Sequence, residues 1–494
     1  MDYKDKAYWQ ALASELTLET RLFIAGKYQK AQAGECFGCI NPATDHPLAE
    51  VSRAQEADVN KAVMAARSSF ESGVWSEASP AERKSVLLRL AALIEKHQQE
   101  LALLETLNTG KPIRHSLRDD IPGAVRAIRW YAESIDKIYG EIAPTANNAL
   151  ALISREPVGV VAAIVPWNFQ LLLACWKLGP ALAAGNSVVL KPSEKAPLSA
   201  IRLGALAKKA GLPDGVLNIL PGLGLETGKA LGLHHDVDCL TFTGSTGVGR
   251  RLLEYAGSSN MKRVWIEAGG KSANIVFADC PDLGKAAKAC AAAIFYNQGE
   301  VCVAGTRLLV EASIKDTFMA EFKQAAAAFK PMDPLDPDTI MGTLIDKNHH
   351  ASVCRYISLG LEEGAQLTLD GRDQAGNFMG PTVLEQVTPH MRIANEEIFG
   401  PVLAVTTFSS EAEALHLANS SKYGLGAGVW TSNLQRAHRL ARKLRVGSVF
   451  INNYNDGDMT VPFGGVKKSG NGRDKSLHAF DKFTELKTTW LALD

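Results

Sequence analysis

Five stretches of this chain carry residue types that do chemistry. "NQGEVCVAGT", residues 297–306, holds Cys302 among small and apolar neighbours with glycine on either side. A free thiol with a pKa of about 8.5 is mostly protonated at neutral pH, so a nucleophilic Cys302 needs activation. "WIEAGGKS" at 265–272 sets Glu267 after an apolar run and before two glycines. Such a glutamate is either a solvated acid or a buried one with a raised pKa, and the glycines would let backbone approach a ligand closely. "VPWNF" at 165–169 puts Asn168 where a strand gives way to a helix. Asn168 is a helix N-cap in one reading and an amide donor to a developing oxyanion in the other.

The remaining two stretches suit an anionic cofactor. In "FTGSTGVG", 242–249, a strand runs into Gly244 and Ser245 and a helix opens near Gly247. Backbone N–H groups at such a helix start suit a phosphate, although the spacing is not the usual dinucleotide fingerprint. "LKPSEKAP" at 190–197 places Lys191 and Glu194 just past another strand, where open α/β sheets bind ligands. Both can hydrogen-bond ribose hydroxyls, and Glu194 would repel a 2′-phosphate, favouring NAD over NADP. An ordinary solvated loop reads the same way.

The elements that must position these groups are those of an α/β protein. Short β-rich segments from residue 159 on, such as "GVVAAIVP", "SVVLKP" and "VDCLTFTGS", alternate with helical stretches. Their spacing is that of βαβ crossovers, so a parallel sheet covered by helices is expected. A second α/β pattern follows after about residue 262. Upstream, "ASPAERKSVLLRLAALIEKHQQELALLETLNTGKP" has helical periodicity, with Ser79-Pro80 as a start and Gly110 and Pro112 as stops. The pattern "DDIPGAVRAIRWYAESIDKIYG" predicts another helix.

Bulk properties narrow the class. With 494 residues the chain is long enough for two or three domains. Lysine plus arginine equals aspartate plus glutamate at 53 each, so no basic excess marks a nucleic-acid binder. The start, MDYKDKAYWQ, lacks the apolar core of a secretory signal, and no apolar run is long enough to span a bilayer. A cytoplasmic protein is expected. The eight cysteines are scattered, and the Cys36/Cys39 pair lacks further ligands at zinc-site spacing, so no metal is expected.

Taken together, "WIEAGGKS" and "FYNQGEVCVAG" resemble the glutamate and cysteine signatures of the NAD(P)-dependent aldehyde dehydrogenase superfamily. "PWNF", "KPSE", "FTGST", "NEEIFGP" and "PFGGVKKSGNGRD" follow that family's order, so the resemblance runs from about residue 20 to the C-terminus. It implies a Rossmann-type parallel-sheet cofactor domain (1–130 and 151–261), a second α/β catalytic domain (262–474) and a small β oligomerisation arm (131–150 and 475–494). It also implies a homodimer or homotetramer.

The resemblance assigns Cys302 as nucleophile, Glu267 as general base and Asn168 as oxyanion donor with the Cys302 N–H. Lys191 and Glu194 match adenosine-ribose contacts, Gly244 and Ser245 the pyrophosphate turn, and Trp167 the cofactor cleft. Glu397 and Phe399 match residues that hold the nicotinamide ribose and ring. The implied chemistry is attack by Cys302 to give a thiohemiacetal, hydride transfer to NAD, and hydrolysis of the thioester with Glu267 activating water. Two departures stand out. Gln170 replaces a usual proline, which suggests a looser loop beside Asn168; Ala268 replaces a common leucine.

"SLRDDIPGAVRAIRWYAE" and "NNYNDGDMTVPFGG" resemble substrate-tunnel segments of bacterial γ-glutamyl-γ-aminobutyraldehyde dehydrogenases and of enzymes acting on other ω-amino or guanidino aldehydes. The implied tunnel residues are Asp119, Gly123, Phe169, Trp176, Tyr454, Asp456, Asp458 and Phe463. The acids would attract an ammonium or guanidinium group; as solvated loop acids they would do nothing specific. The alternatives are a broad-specificity aldehyde dehydrogenase, a coenzyme A-acylating enzyme and a non-catalytic relative.

Overall fold

The computed structural model describes residues 4–455 and 457–493. Two seven-stranded sheets form its frame. In the first, Arg263–Glu267, Cys239–Thr243, Val160–Ile164, Ser187–Lys191 and Leu217–Ile219 lie parallel in that order, and Leu22–Ile24 and Lys27–Gln29 add antiparallel strands at one edge.

The central parallel strands are buried on both faces, and their side chains divide with a period of two. Val161, Ala163, Val188 and Leu190 pack into one core with helices Gln170–Ala183 and Leu198–Ala210. Val160, Ala162, Val189 and Leu240 pack into another with helices Glu56–Glu71 and Thr246–Gly257.

The second sheet runs Gln366–Leu369, Thr382–Glu385, Val402–Phe408, Arg307–Glu311, Ala273–Val276, Gly426–Trp430, Ser448–Ile451, parallel except at its first pair. Helices Leu283–Phe295 and Lys315–Ala326 cover one face, and Glu411–Asn419 and Leu434–Lys443 the other. A third sheet is antiparallel, with Ala149–Pro157 between Thr484–Ala492 and Glu141–Ala143. Two parallel-sheet α/β units and a small β arm are present, as the sequence implied.

Strand pairing bears on the domain boundaries. Arg263–Glu267 closes the first sheet, and Ala149–Pro157 belongs to the small one. We therefore propose that the cofactor domain extends to residue 267 and that the arm takes in strand 149–157, in place of boundaries at 261 and 150.

Local expectations met two changes. The long upstream helix is two helices, Pro80–Lys96 and Gln98–Thr109, broken at His97. Its ends follow the sequence: Ser79 and Glu82 form a capping box, and Gly110 closes the second helix at φ 73°. Ahead of helix Ile121–Ser134, residues Ser116–Asp120 form a π turn that carries Asp119.

Candidate active site

Three adjacent strands of the first sheet deliver the chemistry at their C-terminal ends, where open α/β sheets bind ligands. Val160–Ile164 leads to Asn168, Cys239–Thr243 to Gly244 and Ser245, and Arg263–Glu267 ends on Glu267 itself. A cavity of about 1470 Å³ collects Asn168, Glu267 and Cys302 with Trp167, Gly244, Ser245, Glu397 and Phe399. One drug-sized ligand needs about 300–1,000 Å³, so this cavity has room for two. Lys191 and Glu194 do not line it; they lie beyond it at the end of strand Ser187–Lys191.

The Cys302 loop is held under backbone strain. Asn297, Gln298 and Gly299 are all left-handed, with φ of 48°, 57° and 72°. Their side chains anchor the turn: Asn297 Nδ2 donates to Asn168 O at 3.3 Å and Gln298 Nε2 to Thr343 O at 3.1 Å. Non-glycine residues in that region persist only where surroundings dictate them, and such strain clusters at functional sites. Tyr454 adds a further tie, its hydroxyl donating to Val303 O at 2.6 Å.

Burial pushes the Cys302 thiol up to about 12, with Glu397 and Glu267 adding repulsion, while the N–H groups of Val303 and Cys302 partly offset this. Glu267 is raised well above the ordinary carboxylate range by burial and by Asp474; Lys177, Lys482 and Arg473 oppose the shift. Neither Glu267 oxygen has a hydrogen-bond partner among the described residues. Asp474 is held low, since its pairs with buried Lys177 and Lys482 outweigh the effect of its own burial.

Asn168 is buried and is not the helix N-cap; that position falls to Phe169, without a side-chain cap. Its Nδ2 donates one hydrogen to Glu300 O at 2.8 Å, which leaves a second for another acceptor. Gln170, expected to loosen this loop, does the opposite. It is 1% exposed, and its Nε2 donates to Ser199 Oγ, which in turn donates to Glu105. Ala268 is simply buried in the core of the first sheet.

The two glycines after Glu267 make room for protein groups. A Cβ on Gly269 would fall 1.9 Å from Glu397 Oε2, and one on Gly270 would fall 2.3 Å from Cys302 O. Glu397 accepts from Gly270 N at 3.1 Å, and burial raises its carboxyl to about 7. Trp167 and Phe399 meet edge to face, with centroids 5.4 Å apart.

Asp119, Gly123, Phe169, Trp176, Tyr454, Asp458 and Phe463 all line the same cavity. Asp456 lies outside the described residues. Trp176 and Phe463 pack at 5.5 Å, and Phe169 stacks on Tyr296 at 6.4 Å with Lys111 Nζ 3.8 Å from its ring. Burial works to raise Asp119, yet Arg118 and Tyr296 outweigh it and hold the carboxyl below its usual range. Asp458 is exposed and held low by the Thr460 hydroxyl and N–H.

Sequence reasoning missed several residues here. Arg118, Arg126 and Lys475 line the cavity as cations beside the acids, and His349 and Tyr296 line it as rings. Lys177 had a readable signal, a lone charge in the apolar run "LLLACWKLGPALAAG". Arg126 sits one helical turn after Gly123, a spacing that shares a face. Lys475 had none. Cys36 is exposed and Cys39 is buried against Asn108, whose Nδ2 donates to its sulfur. Among the described residues, no cluster of potential metal ligands occurs.

Comparison with known proteins agrees with this geometry. The profile of the aldehyde dehydrogenase family matches residues 28–489. The chain is 64% identical over 495 residues to the NADP/NAD-dependent aldehyde dehydrogenase PuuC of Escherichia coli K12, covering all of both chains. Two solved structures superpose closely. An indole-3-acetaldehyde dehydrogenase complexed with NAD⁺ is 56% identical with a TM-score of 0.99, covering 99% of this chain and 100% of that one. The γ-glutamyl-γ-aminobutyraldehyde dehydrogenase of Burkholderia cenocepacia J2315 is 53% identical with a TM-score of 0.97, at the same coverage. A thiol, a buried acid and an amide donor meet in one cavity of a chain matched over nearly its full length, and the chain belongs to the aldehyde dehydrogenase family.

Proposed function

We propose that the chain oxidises an ω-amino aldehyde, of the γ-glutamyl-γ-aminobutyraldehyde class, to its acid with NAD⁺ as acceptor. The observation that carries this reading is the single cavity joining Cys302, Glu267 and Asn168 to the carboxylates of Asp119 and Asp458. The named relatives support it in two ways: one solved neighbour acts on that aldehyde, and another was solved with NAD⁺.

The residues present fit the dinucleotide. Helix Thr246–Gly257 opens on Ser245, and a Cβ at Gly247 would meet nothing within 4 Å, so the helix start is open to a phosphate. Lys191 Nζ donates to Pro192 O at 3.0 Å and Glu194 Oε2 at 3.1 Å, leaving a third hydrogen for a ribose oxygen. Glu194 stays ionised, because Lys191 outweighs the burial that would raise it, and its charge disfavours a 2′-phosphate. NADP is the weaker cofactor in this reading, although the Escherichia coli relative is named for both.

When bound, the nicotinamide supplies the two-electron acceptor. The chain's own groups do the rest. Cys302 Sγ bonds to the aldehyde carbon as its proton passes to Glu267, and the carbonyl oxygen takes the negative charge. The free hydrogen of the Asn168 amide is the donor that holds this oxyanion. Once the carbon is oxidised to the thioester and Glu267 has passed its first proton to solvent, Glu267 takes a proton from water, whose oxygen adds to the thioester carbon. The C–S bond breaks, the acid leaves, and the Glu267 proton returns to the Cys302 sulfur. A base in this cavity favours hydrolysis over transfer to coenzyme A.

A second reading, oxidation of neutral aromatic aldehydes, is favoured by the Phe169, Trp176 and Phe463 walls and by the indole-3-acetaldehyde relative. One panel separates them: kcat/KM with NAD⁺ for γ-glutamyl-γ-aminobutyraldehyde, 4-aminobutyraldehyde, its guanidino analogue, indole-3-acetaldehyde and butyraldehyde. The amine-bearing aldehydes are expected to lead, and a lead by butyraldehyde or the indole would sink the substrate reading. Cys302→Ala, folded, is expected to be inactive with all of them.

Assembly belongs to the same proposal. Strand Thr484–Ala492 is an edge strand with Leu486 62% and Trp490 64% exposed, which supports a dimer or tetramer built through the arm. Cytoplasmic residence is proposed on the scattered free cysteines; among the described residues, no helix is long and apolar enough to cross a membrane.

A further inference from the structure

We propose that Arg126 and Lys475 form a carboxylate-binding site, the two cations that read the α-carboxylate of a γ-glutamyl-type aldehyde. This rests on the reading above, that the cavity oxidises an amine-bearing aldehyde. Both side chains line the cavity that holds Cys302.

Arg126 projects from helix Ile121–Ser134, exposed, with no hydrogen bond or ion pair among the described residues. Its Nη2 lies 3.8 Å from where a Cβ on Gly123 would be, which directs the guanidinium back along the helix face that borders the cavity. Lys475 lies near enough for the two cations to repel, and the Arg126 charge adds to the burial that lowers its pKa. Its φ is 62° and that of Ser476 is 50°, two successive left-handed L-residues. The flanking backbone enforces this: Asp474 N donates to Phe463 O at 2.7 Å, Phe463 N donates back at 2.7 Å, and Ser476 N donates to Met459 O at 2.8 Å. The result carries Lys475 Nζ to 5.7 Å from the Trp176 ring, a tunnel wall. Glycine or asparagine would adopt this conformation at less cost, and backbone strain of this kind clusters at functional sites.

The acids complete the pattern. Asp458 is exposed and ionised beside Lys475, and Asp119 is bidentate with Arg118. A purely cationic aldehyde would meet Arg126 and Lys475 as like charges. An aldehyde ending in an amino-acid head group, ammonium and carboxylate together, meets an opposite charge for each. A planar guanidinium is well suited to grip a carboxylate through two N–H groups.

The test uses ω-oxo acids of increasing length, which carry the carboxylate without the amine, against neutral aldehydes of matched length. Wild-type enzyme with saturating NAD⁺ is expected to favour the ω-oxo acid at the length that spans the tunnel. Arg126→Gln and Lys475→Met are each expected to lower its kcat/KM about fivefold, through KM, the scale of one partly exposed ion pair. The neutral aldehydes are expected to keep their kcat/KM, Arg126→Lys to retain most of the preference, and added salt to erase it. An equal loss for charged and neutral aldehydes would make both residues structural and overturn the proposal, as would a wild-type enzyme indifferent to the carboxylate. Failure of the amine-bearing reading registers separately, as wild-type indifference to the amine in aldehydes that lack a carboxylate.

Discussion

The phenol of Tyr296 donates to Asp119 Oδ2 at 2.9 Å, and Arg118 grips the same carboxylate through Nε and Nη2 at 2.8 and 2.9 Å. This cavity-lining acid is thus anchored, not free. Asp119→Asn would leave the Arg118 charge without its carboxylate, turning the local balance positive. KM for 4-aminobutyraldehyde is expected to rise about fivefold, with butyraldehyde unchanged, as suits a partly exposed pair. Tyr296→Phe keeps the stack on Phe169 and is expected to change both aldehydes little. An Asp119→Asn effect equal for both aldehydes would assign the carboxylate to structure alone.

The pH profile follows from Glu267. As the base proposed above, it must be deprotonated, and burial raises this carboxyl well above its ordinary range, so kcat/KM is expected to climb with pH through an apparent pKa above that range. Lys177 holds that pKa down. Lys177→Met is therefore expected to move the rising limb to higher pH, while Glu267→Gln removes the limb and slows turnover by about 10²–10⁴. A limb that Lys177→Met leaves in place would break the electrostatic link.

What could be read in advance was local. Cys302, Glu267 and Gly244 sit at strand ends or in tight turns, where glycine and strand patterns mark position within a few residues. What stayed hidden depended on partners far along the chain. Lys177 meets Asp474 across 297 residues, and Tyr296 meets Asp119 across 177. The break at His97 is equally invisible, since periodicity continues through it and only the C-cap geometry separates the two helices. Lys475 shows the limit most sharply, because no residue pattern announces a left-handed lysine.

Gln170 was misread for the same reason. Its partners, Ser199 and Glu105, come from two other helices. Gln170→Pro would remove the side-chain donor and a backbone N–H that reaches Glu105. The loss of buried hydrogen bonds is expected to destabilise the chain by about 1–3 kcal/mol, read as a lower thermal midpoint, in spite of the general preference for proline at a helix start. An unchanged or higher midpoint would mean the network contributes nothing net.

Trp490 tests the arm. It stands 64% exposed on an edge strand with Leu486 and Leu491 also exposed, a surface suited to a second copy. Trp490→Asp is expected to shift the sedimentation profile towards smaller species while leaving Cys302 reactive to alkylation. An unaltered profile would move the interface elsewhere.

In the proposed function, Glu194 sets the cofactor preference by charge. Its carboxylate, 39% exposed and paired to Lys191, would accept from a ribose hydroxyl of NAD and repel a 2′-phosphate. Glu194→Gln keeps the shape and removes the charge, so the NADP-to-NAD ratio of kcat/KM is expected to rise about tenfold, equivalent to 1.4 kcal/mol. Lys191 should respond in the opposite sense. Burial lowers its pKa and Glu194 opposes that shift, so the same substitution lowers the pKa further and removes the partner that orients the ammonium. NAD affinity is therefore expected to fall in Glu194→Gln even as NADP turnover improves. A parallel change for both cofactors would mean that Glu194 shapes the loop and does not read the ribose.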